Sequence, residues 1–375
     1  MKVMFICGSI EPGRDGVGDY TRRLSQELAR NGIQVAVTAL HDGHVKEIQD
    51  FLQLMDGTEI PVYRLPSVLD ESMRYKLLEQ RITEFNPDWL SLQYVPFSFH
   101  PKGLGFALAK GLKKAGGRRR WQIMVHEIAV GMPIGSSLKE MLWGKAQKFL
   151  LQSLIRVLQP VMVHTHTLVY KKQLEKFGAA VTMLPLFSNI PVAHPELIVA
   201  KHKNEVVHDG YIDLLVFATV QLGAPIREFT QDIKQYEKST GSKFRMVFLG
   251  RGGRAQADWM EEWEGAGLAA VHLGEQNEEK VSEILAKATF GIFSTPVVLT
   301  GKSGAVAAMR EHGIHLLGVS GKWEARGLKV TENPFGILEY KQGELDQFFK
   351  SKSDFSILPT VPSIAKQFMS DLKMN

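Results

Sequence analysis

Short β-branched and aromatic runs alternate with helical patterns along almost the whole chain, and no other feature constrains the fold as tightly. Residues 2–7 are an apolar run and Gly8–Gly18 is rich in turn-formers. Tyr20, Leu24 and Leu28 then repeat at i, i+4, i+8 until Asn31-Gly32, and Gln34–Leu40 is the next strand. This is a βαβ unit, with Asp19 the expected helix cap. The rhythm continues with strands expected at 61–64, 88–94, 121–126, 160–165 and 180–184, and helices at about 70–84, 103–115, 136–158 and 167–177. Strands alternating with helices argue for a parallel sheet covered on both faces.

The alternation breaks at Leu184-Pro-Leu-Phe-Ser-Asn-Ile-Pro191 and stays weak to Gly210, which reads as a linker. A second series follows, with strands expected at 212–218, 244–249, 269–273, 290–294 and 314–318 and helices at about 226–239, 255–265, 277–287 and 303–312. The expected division is therefore 1–195, a linker at 196–211, 212–355, and a terminal helix within 356–375. Ser363 is that helix's expected cap, and Ile364, Phe368 and Leu372 share one face suited to packing back on the first domain. A length of 375 residues suits two domains of roughly 150–200 residues. The fold class is α/β, two doubly wound halves, and such halves usually hold a ligand in the cleft they share.

Composition narrows the setting. The single Cys7 excludes a disulfide within the chain and points to a reducing compartment. No apolar run approaches the roughly 18 residues of a spanning helix, so a cytoplasmic location is the default. The net charge of +5 is mild, but Lys110, Lys113, Lys114, Arg118, Arg119 and Arg120 precede Trp121 in one basic cluster. That run is a solvated face, or it suits an anionic membrane surface through residues 110–121. Nucleic acid is not expected, since no aromatic interleaving accompanies the charge.

The motifs with chemistry cluster where strands end. Gly301-Lys302-Ser303-Gly304 lies between an apolar strand and a helix, placing free backbone N–H groups, a helix dipole and one Lys at a sheet's edge. It is not a P-loop, because Pro296 stands where the first glycine is needed. A solvated turn before a core helix is the alternative. Gly13-Arg-Asp-Gly16-Val17-Gly18 is not the dinucleotide fingerprint, since Thr21 replaces its third glycine. Its glycines allow close approach to a ligand, or form a plain βα turn. His126, His164 and His166 end two strands; without matching carboxylate or Cys spacing they make no metal site, and a structural role is their simplest reading. Leu92-Gln93-Tyr94 runs into an aromatic and proline loop reaching His100, suited to stacking on a sugar or to internal packing.

Together these pieces resemble the GT-B-fold retaining glycosyltransferases that use nucleotide sugars, the glycogen-synthase-like group. The resemblance rests on Gly16 to Val35, on the hinge Leu184-Pro185 and Asn189-Ile190-Pro191, on Leu273-Gly274 through Ala288, and on Ala307-Ala308-Met309 with Gly313. It implies two Rossmann-like domains, an acceptor domain first and a donor domain second, and a metal-independent transfer without a cofactor. A hexose would pass from a UDP-sugar, UDP-glucose being the first guess, to a polysaccharide or lipid-linked acceptor at the inner face of a membrane. Gly16, Val17 and Gly18 would approach the donor, His126 the transferred sugar, and Gly250-Arg251 with Gly274-Glu275 the nucleoside. Gln93, Tyr94 and His100 would face the acceptor. The family's paired glutamates are absent, Leu299 and Ala307 standing in their places, and so are the usual cations after the second domain's first strand. Lys302, with the helix start at Ser303-Gly304, would hold the diphosphate instead, with Arg227 and Arg251 as further candidates. The other readings are a GT-B scaffold that binds sugar, nucleotide or a protein partner without catalysis, and a GT-B epimerase or sugar-phosphate synthase.

Overall fold

A computed structural model describes residues 1–55, 57–202, 210–330, 333, 336–351 and 358–374. It divides into two compact units, 1–185 with 324–330 and 361–375, and 186–323 with 331–360.

The first unit begins β1 (Lys2–Cys7), α1 (Gly16–Arg30), β2 (Gln34–Asp42), β3 (Gln49–Met55), β4 (Thr58–Pro66), α2 (Glu71–Phe85) and β5 (Trp89–Tyr94). It continues α3 (Pro96–Phe99), α4 (Leu108–Gly116), β6 (Arg120–Val125), α5 (Leu138–Leu158), β7 (Met162–Thr165), α6 (Leu168–Glu175) and β8 (Val181–Met183). The strands form one sheet in the order β3-β4-β2-β1-β5-β6-β7-β8, parallel except for β3. Buried on both faces, β1 is a continuous apolar run rather than an alternating one, while the equally buried β5 carries Ser91 and Gln93 among its apolar residues.

The second unit holds α7 (Pro195–His202), β9 (Ile212–Phe217), α8 (Ile226–Thr240), β10 (Phe244–Leu249), α9 (Arg254–Gly265), β11 (Ala269–Gly274), α10 (Glu278–Lys287) and β12 (Phe290–Phe293). A 3₁₀ turn at Val297–Lys302, α11 (Gly304–Glu311), β13 (His315–Gly318), β14 (Leu338–Glu339) and α12 (Leu345–Lys350) complete it. Its sheet is parallel in the order β11-β10-β9-β12-β13-β14. Phe229, Phe244, Phe248, Trp259 and Trp263 fill one side of it, each worth roughly 1.5–3 kcal/mol on burial.

The last helix, α13 (Val361–Lys373), belongs to the first unit. Ile364, Ala365, Phe368 and Leu372 are its buried stripe, and Phe368 stacks on Phe5 with centroids 5.8 Å apart. It starts at Val361, so Ser363 lies in the first turn and is not the cap; residues 352–357 lie outside the described residues.

The segment expected as a linker at 196–211 is in part α7, which packs on α10. Its buried Lys201 donates to the carbonyls of Ala288 at 2.8 Å and His312 at 2.9 Å. Two prolines hid this short helix from periodicity, and 203–209 lie outside the described residues.

Candidate functional site

In each sheet the strand order reverses about one strand, at β1 between β2 and β5 and at β9 between β10 and β12, and ligands of such sheets bind beyond the carboxyl ends there. In the first unit this places the turn after β1 beside the loop after β5. Asp15, not Asp19, caps α1, its Oδ1 accepting from Val17 N at 2.9 Å. Gly16, Val17 and Gly18 are therefore the first helical turn instead of a loop. The Asp19 carboxylate accepts from Gly13 N at 3.1 Å and pairs with Arg22 at 3.0 Å. Burial raises the pKa of both Asp15 and Asp19. A Cβ on Gly18 would fall 2.8 Å from Ser9 O, and one on Gly8 2.5 Å from Ser98 O, so both glycines set close backbone contacts.

His126 follows β6 and is buried. Its Nε2 meets Gln93 Oε1 at 3.0 Å and its Nδ1 meets His166 Nε2 at 2.9 Å. Tyr20 of α1 sets its ring edge-on to both imidazoles, with centroids 5.1 and 5.6 Å away. Burial first, and the neighbouring His166 second, push the His126 pKa well below its ordinary value. Gln93 is fully buried and also donates to Ser91 Oγ at 2.8 Å. Tyr94 is buried and stacks on Phe99, and burial pushes its hydroxyl pKa up. His100 accepts at Nδ1 from the backbone N–H of Lys102 and Leu104, so it locks its own loop. The structure thus joins His126 to Gln93 and gives Tyr94 and His100 internal partners.

The polar thread does not stop at Gln93. Ser91 donates to Gln122 Oε1 at 2.5 Å, Gln122 meets His164 Nδ1 at 3.0 Å, and His164 Nε2 meets Asp371 Oδ2 of α13 at 3.1 Å. Burial lowers the His164 pKa more than Asp371 raises it. Ser91, Gln122 and Asp371 escaped the sequence reading. A signal existed, because Ser91 and Gln93 sit two apart in a buried strand, and a polar pair there needs partners.

In the second unit the carboxyl ends are shaped by backbone. Ala218, just past β9, lies at φ 66°, Gly250, past β10, at φ 108°, and Gly274, ending β11, at φ 64°. A non-glycine residue held there costs about 1–3 kcal/mol and marks an over-determined turn. Gly250 N donates to Gly274 O at 2.9 Å, and Arg251 and Glu275, both about half exposed, form an ion pair beside it. Gln221 N donates to Ser294 Oγ at 2.7 Å, tying the β9 loop to the end of β12. Beyond Pro296 the 3₁₀ turn brings Lys302 to Ser303, whose Oγ caps α11 by accepting from Val306 N at 3.3 Å, and Gly304 is the helix's first residue. Leu299 is buried and Ala307 half-buried, so both positions of the absent carboxylates are apolar. Arg227 stands apart, in the first turn of α8, 71% exposed and paired with Glu262 of α9.

A cavity of about 1050 Å³ opens elsewhere, at the amino ends of β9, β10 and β12, beside Lys201, Tyr211, Asp213, Arg245 and Lys287. Its charges have protein partners: Arg245 pairs with Asp213 at 2.7 Å and lies over Tyr211, and burial lowers Lys201 to about 8. The shaped backbone and helix start favour the carboxyl ends over this cavity, and we place the candidate site there.

The basic cluster divides. Lys110, Lys113, Lys114 and Arg118 are exposed, while Arg119 bonds Asn86, Arg120 lies 4.4 Å above the Trp89 ring, and Trp121 is buried in β6. Among the described residues no cluster of His, Cys, Asp and Glu could hold a metal ion, and no helix is long and apolar enough to cross a membrane.

No protein-family model matches the sequence, and no curated protein does. Solved structures do match in fold. HepE of Anabaena, in complex with UDP and glucose, superposes with a TM-score of 0.64 at 14% identity over the whole of both chains. A trehalose-6-phosphate synthase studied for glycosyl transfer with retention matches at 0.61 and 11%, over 100% of this chain and 99% of that one. The UDP-GlcNAc 2-epimerase of Neisseria meningitidis, bound to UDP-GlcNAc, matches at 0.58 and 13% over all of both chains. With two parallel Rossmann-like sheets in the strand orders given above, the chain has the GT-B fold.

Proposed function

We propose that this protein is a retaining glycosyltransferase that moves a hexose from a nucleotide sugar, a UDP-sugar in preference to a GDP-sugar, to a polysaccharide or lipid-linked saccharide. The observation that carries the reading is the carboxyl edge of the second unit, where the turns at Ala218, Gly250 and Gly274 stand with the capped start of α11 beside Lys302. The turned backbone and the positive end of α11 suit a diphosphate, by about 0.3–1 kcal/mol from the dipole alone. Fold neighbours solved with UDP and glucose, and with UDP-GlcNAc, support the same ligand class.

The second unit is the donor domain and the first the acceptor domain. A departing diphosphate can itself take the acceptor's proton, so positioning and charge stabilisation are what the protein must supply. Lys302, Ser303 and Gly304 hold the leaving diphosphate, and Arg251 and Glu275 border the nucleoside. Within the first unit, Gly16 to Gly18 shape the turn after β1 for close approach of a ligand, and His126 presents an imidazole to a sugar. The reaction needs no metal ion, so a chelator leaves its rate unchanged. The exposed Lys110, Lys113, Lys114 and Arg118 make a peripheral contact with an anionic membrane.

Incubation with UDP-glucose, other UDP-sugars and GDP-sugars tests the reading, since a transferase slowly releases nucleoside diphosphate and free sugar from its own donor. Tight binding of a nucleotide sugar with no turnover would instead support a second reading, a GT-B scaffold that binds without catalysis. The apolar Leu299 and Ala307 favour that reading. Recovery of an epimerised nucleotide sugar would overturn both.

A further inference from the structure

The buried thread of the first unit has a proton count that does not close with neutral rings. It runs Leu184 O, His166, His126, Gln93, Ser91, Gln122, His164, Asp371, through seven contacts of 2.5–3.1 Å. Each contact needs one hydrogen. The six groups between the ends supply one each when the imidazoles are neutral, and both ends, a carbonyl oxygen and a carboxylate, only accept. Seven contacts therefore share six hydrogens.

The place of the shortfall follows from the ends inward. The Asp371 carboxylate requires hydrogen on His164 Nε2, so His164 Nδ1 accepts from the Gln122 amide. Ser91 then donates to Gln122, Gln93 to Ser91, and His126 Nε2 to Gln93, which leaves a lone pair on His126 Nδ1. From the other end, Leu184 O requires hydrogen on His166 Nδ1, leaving a lone pair on His166 Nε2. These two bare nitrogens face each other at 2.9 Å. Without a hydrogen that contact is repulsive in a low-dielectric interior.

We propose that His126 and His166 share one resident proton, carried on His166 and balanced by the carboxylate of Asp371 at the far end of the thread. His166 donates with both nitrogens, to Leu184 O and to His126, and His126 is fixed as its Nε2–H tautomer. The groups facing the pair fit: Tyr20 from α1 stays neutral because burial raises its pKa, and Gln93 from β5 is an amide. Burial first, and His166 second, lower the His126 pKa, which accords with His126 as the neutral member of the pair. Asp371 is thus a positioning residue, acting on His126 through four intervening groups. Resting on the proposed transferase reading, the consequence is that His126 Nε2–H offers a donor, strengthened by the cation behind it, to a sugar or phosphate oxygen that displaces Gln93 Oε1.

Imidazole nitrogen NMR on the full chain with labelled histidine tests this without any substrate. The wild type at neutral pH should show two protonated nitrogens on His166 and hydrogen only on Nε2 of His126. Asp371→Asn can donate to His164 and supply the seventh hydrogen, so His166 should become neutral and His126 should switch to its Nδ1–H tautomer. His166→Gln keeps a donor to His126 without a charge and should retain the Nε2–H tautomer, which covers the case in which Asp371→Asn fails to fold. Three neutral imidazoles in the wild type, or a His126 tautomer indifferent to Asp371→Asn in a folded protein, would overturn the proposal and leave the donor-release experiment untouched.

Discussion

The two sheets end differently, although both are parallel and doubly wound. In the first unit side chains bonded to one another run from the carboxyl end of β6, at His126, back into the sheet through Gln93, Ser91 and Gln122 to His164 and Asp371. In the second unit the corresponding ends carry turned backbone, an exposed ion pair and a helix start. A buried network fixes geometry because every member has few alternatives, whereas turned backbone and a helix start leave an edge that side chains do not fill. The first edge therefore holds a shape, and the second is the one the proposed function assigns to a charged ligand.

The largest expected effect of breaking this contrast is in the second unit's chemistry. Lys302→Ala should lower donor turnover about 100- to 1,000-fold, the size seen when one transition-state donor is removed, with the melting temperature unchanged. Unchanged turnover and donor affinity would remove Lys302 from the site. In the first unit the loss should appear as stability. Gln122→Leu takes from Ser91 Oγ its acceptor and from His164 Nδ1 its partner, and should cost about 1–3 kcal/mol per orphaned atom by denaturant unfolding. Gly18→Ala drives a Cβ to 2.8 Å from Ser9 O and should cost about 1–3 kcal/mol, shifting α1 as well.

The pH dependence separates the units more gently. His126 and His164 have folded pKa values below the ordinary 6.5, so the unfolded chain binds more protons than these two sites as acid is added. Their contribution is complete above 6.5 and is lost as pH falls below it, and His164→Gln should flatten that slope. Lys201, lowered to about 8 by burial, works at the other end: stability should rise slightly as pH climbs from 8 towards 10.5, and Lys201→Met should abolish the rise.

The sheets were legible because a fully buried parallel strand is an apolar run, and residues 2–7, 244–249 and 290–293 say so plainly. Edges were not. β3 is an antiparallel edge strand with Phe51, Leu52 and Leu54 exposed, so it shows neither burial nor alternation, and α7 lies behind two prolines. The cap of α1 is ambiguous in the sequence because Asp15 and Asp19 are both plausible caps, and only geometry shows which accepts from the first turn. Lys302, Ser303 and Gly304 could be placed from strand and helix signals alone. The thread from Ser91 to Asp371 could not, because its members lie up to 280 positions apart and meet only through strand register and the return of α13.

Hydrogen–deuterium exchange of the full chain with and without UDP asks most directly whether the second unit's carboxyl edge is the nucleotide site. The expected result is protection at 218–223, 250–252, 274–277 and 301–306, with the amino-end cavity around Tyr211 and Lys243 unchanged. Protection around that cavity, with none at the turns and helix start, would contradict it.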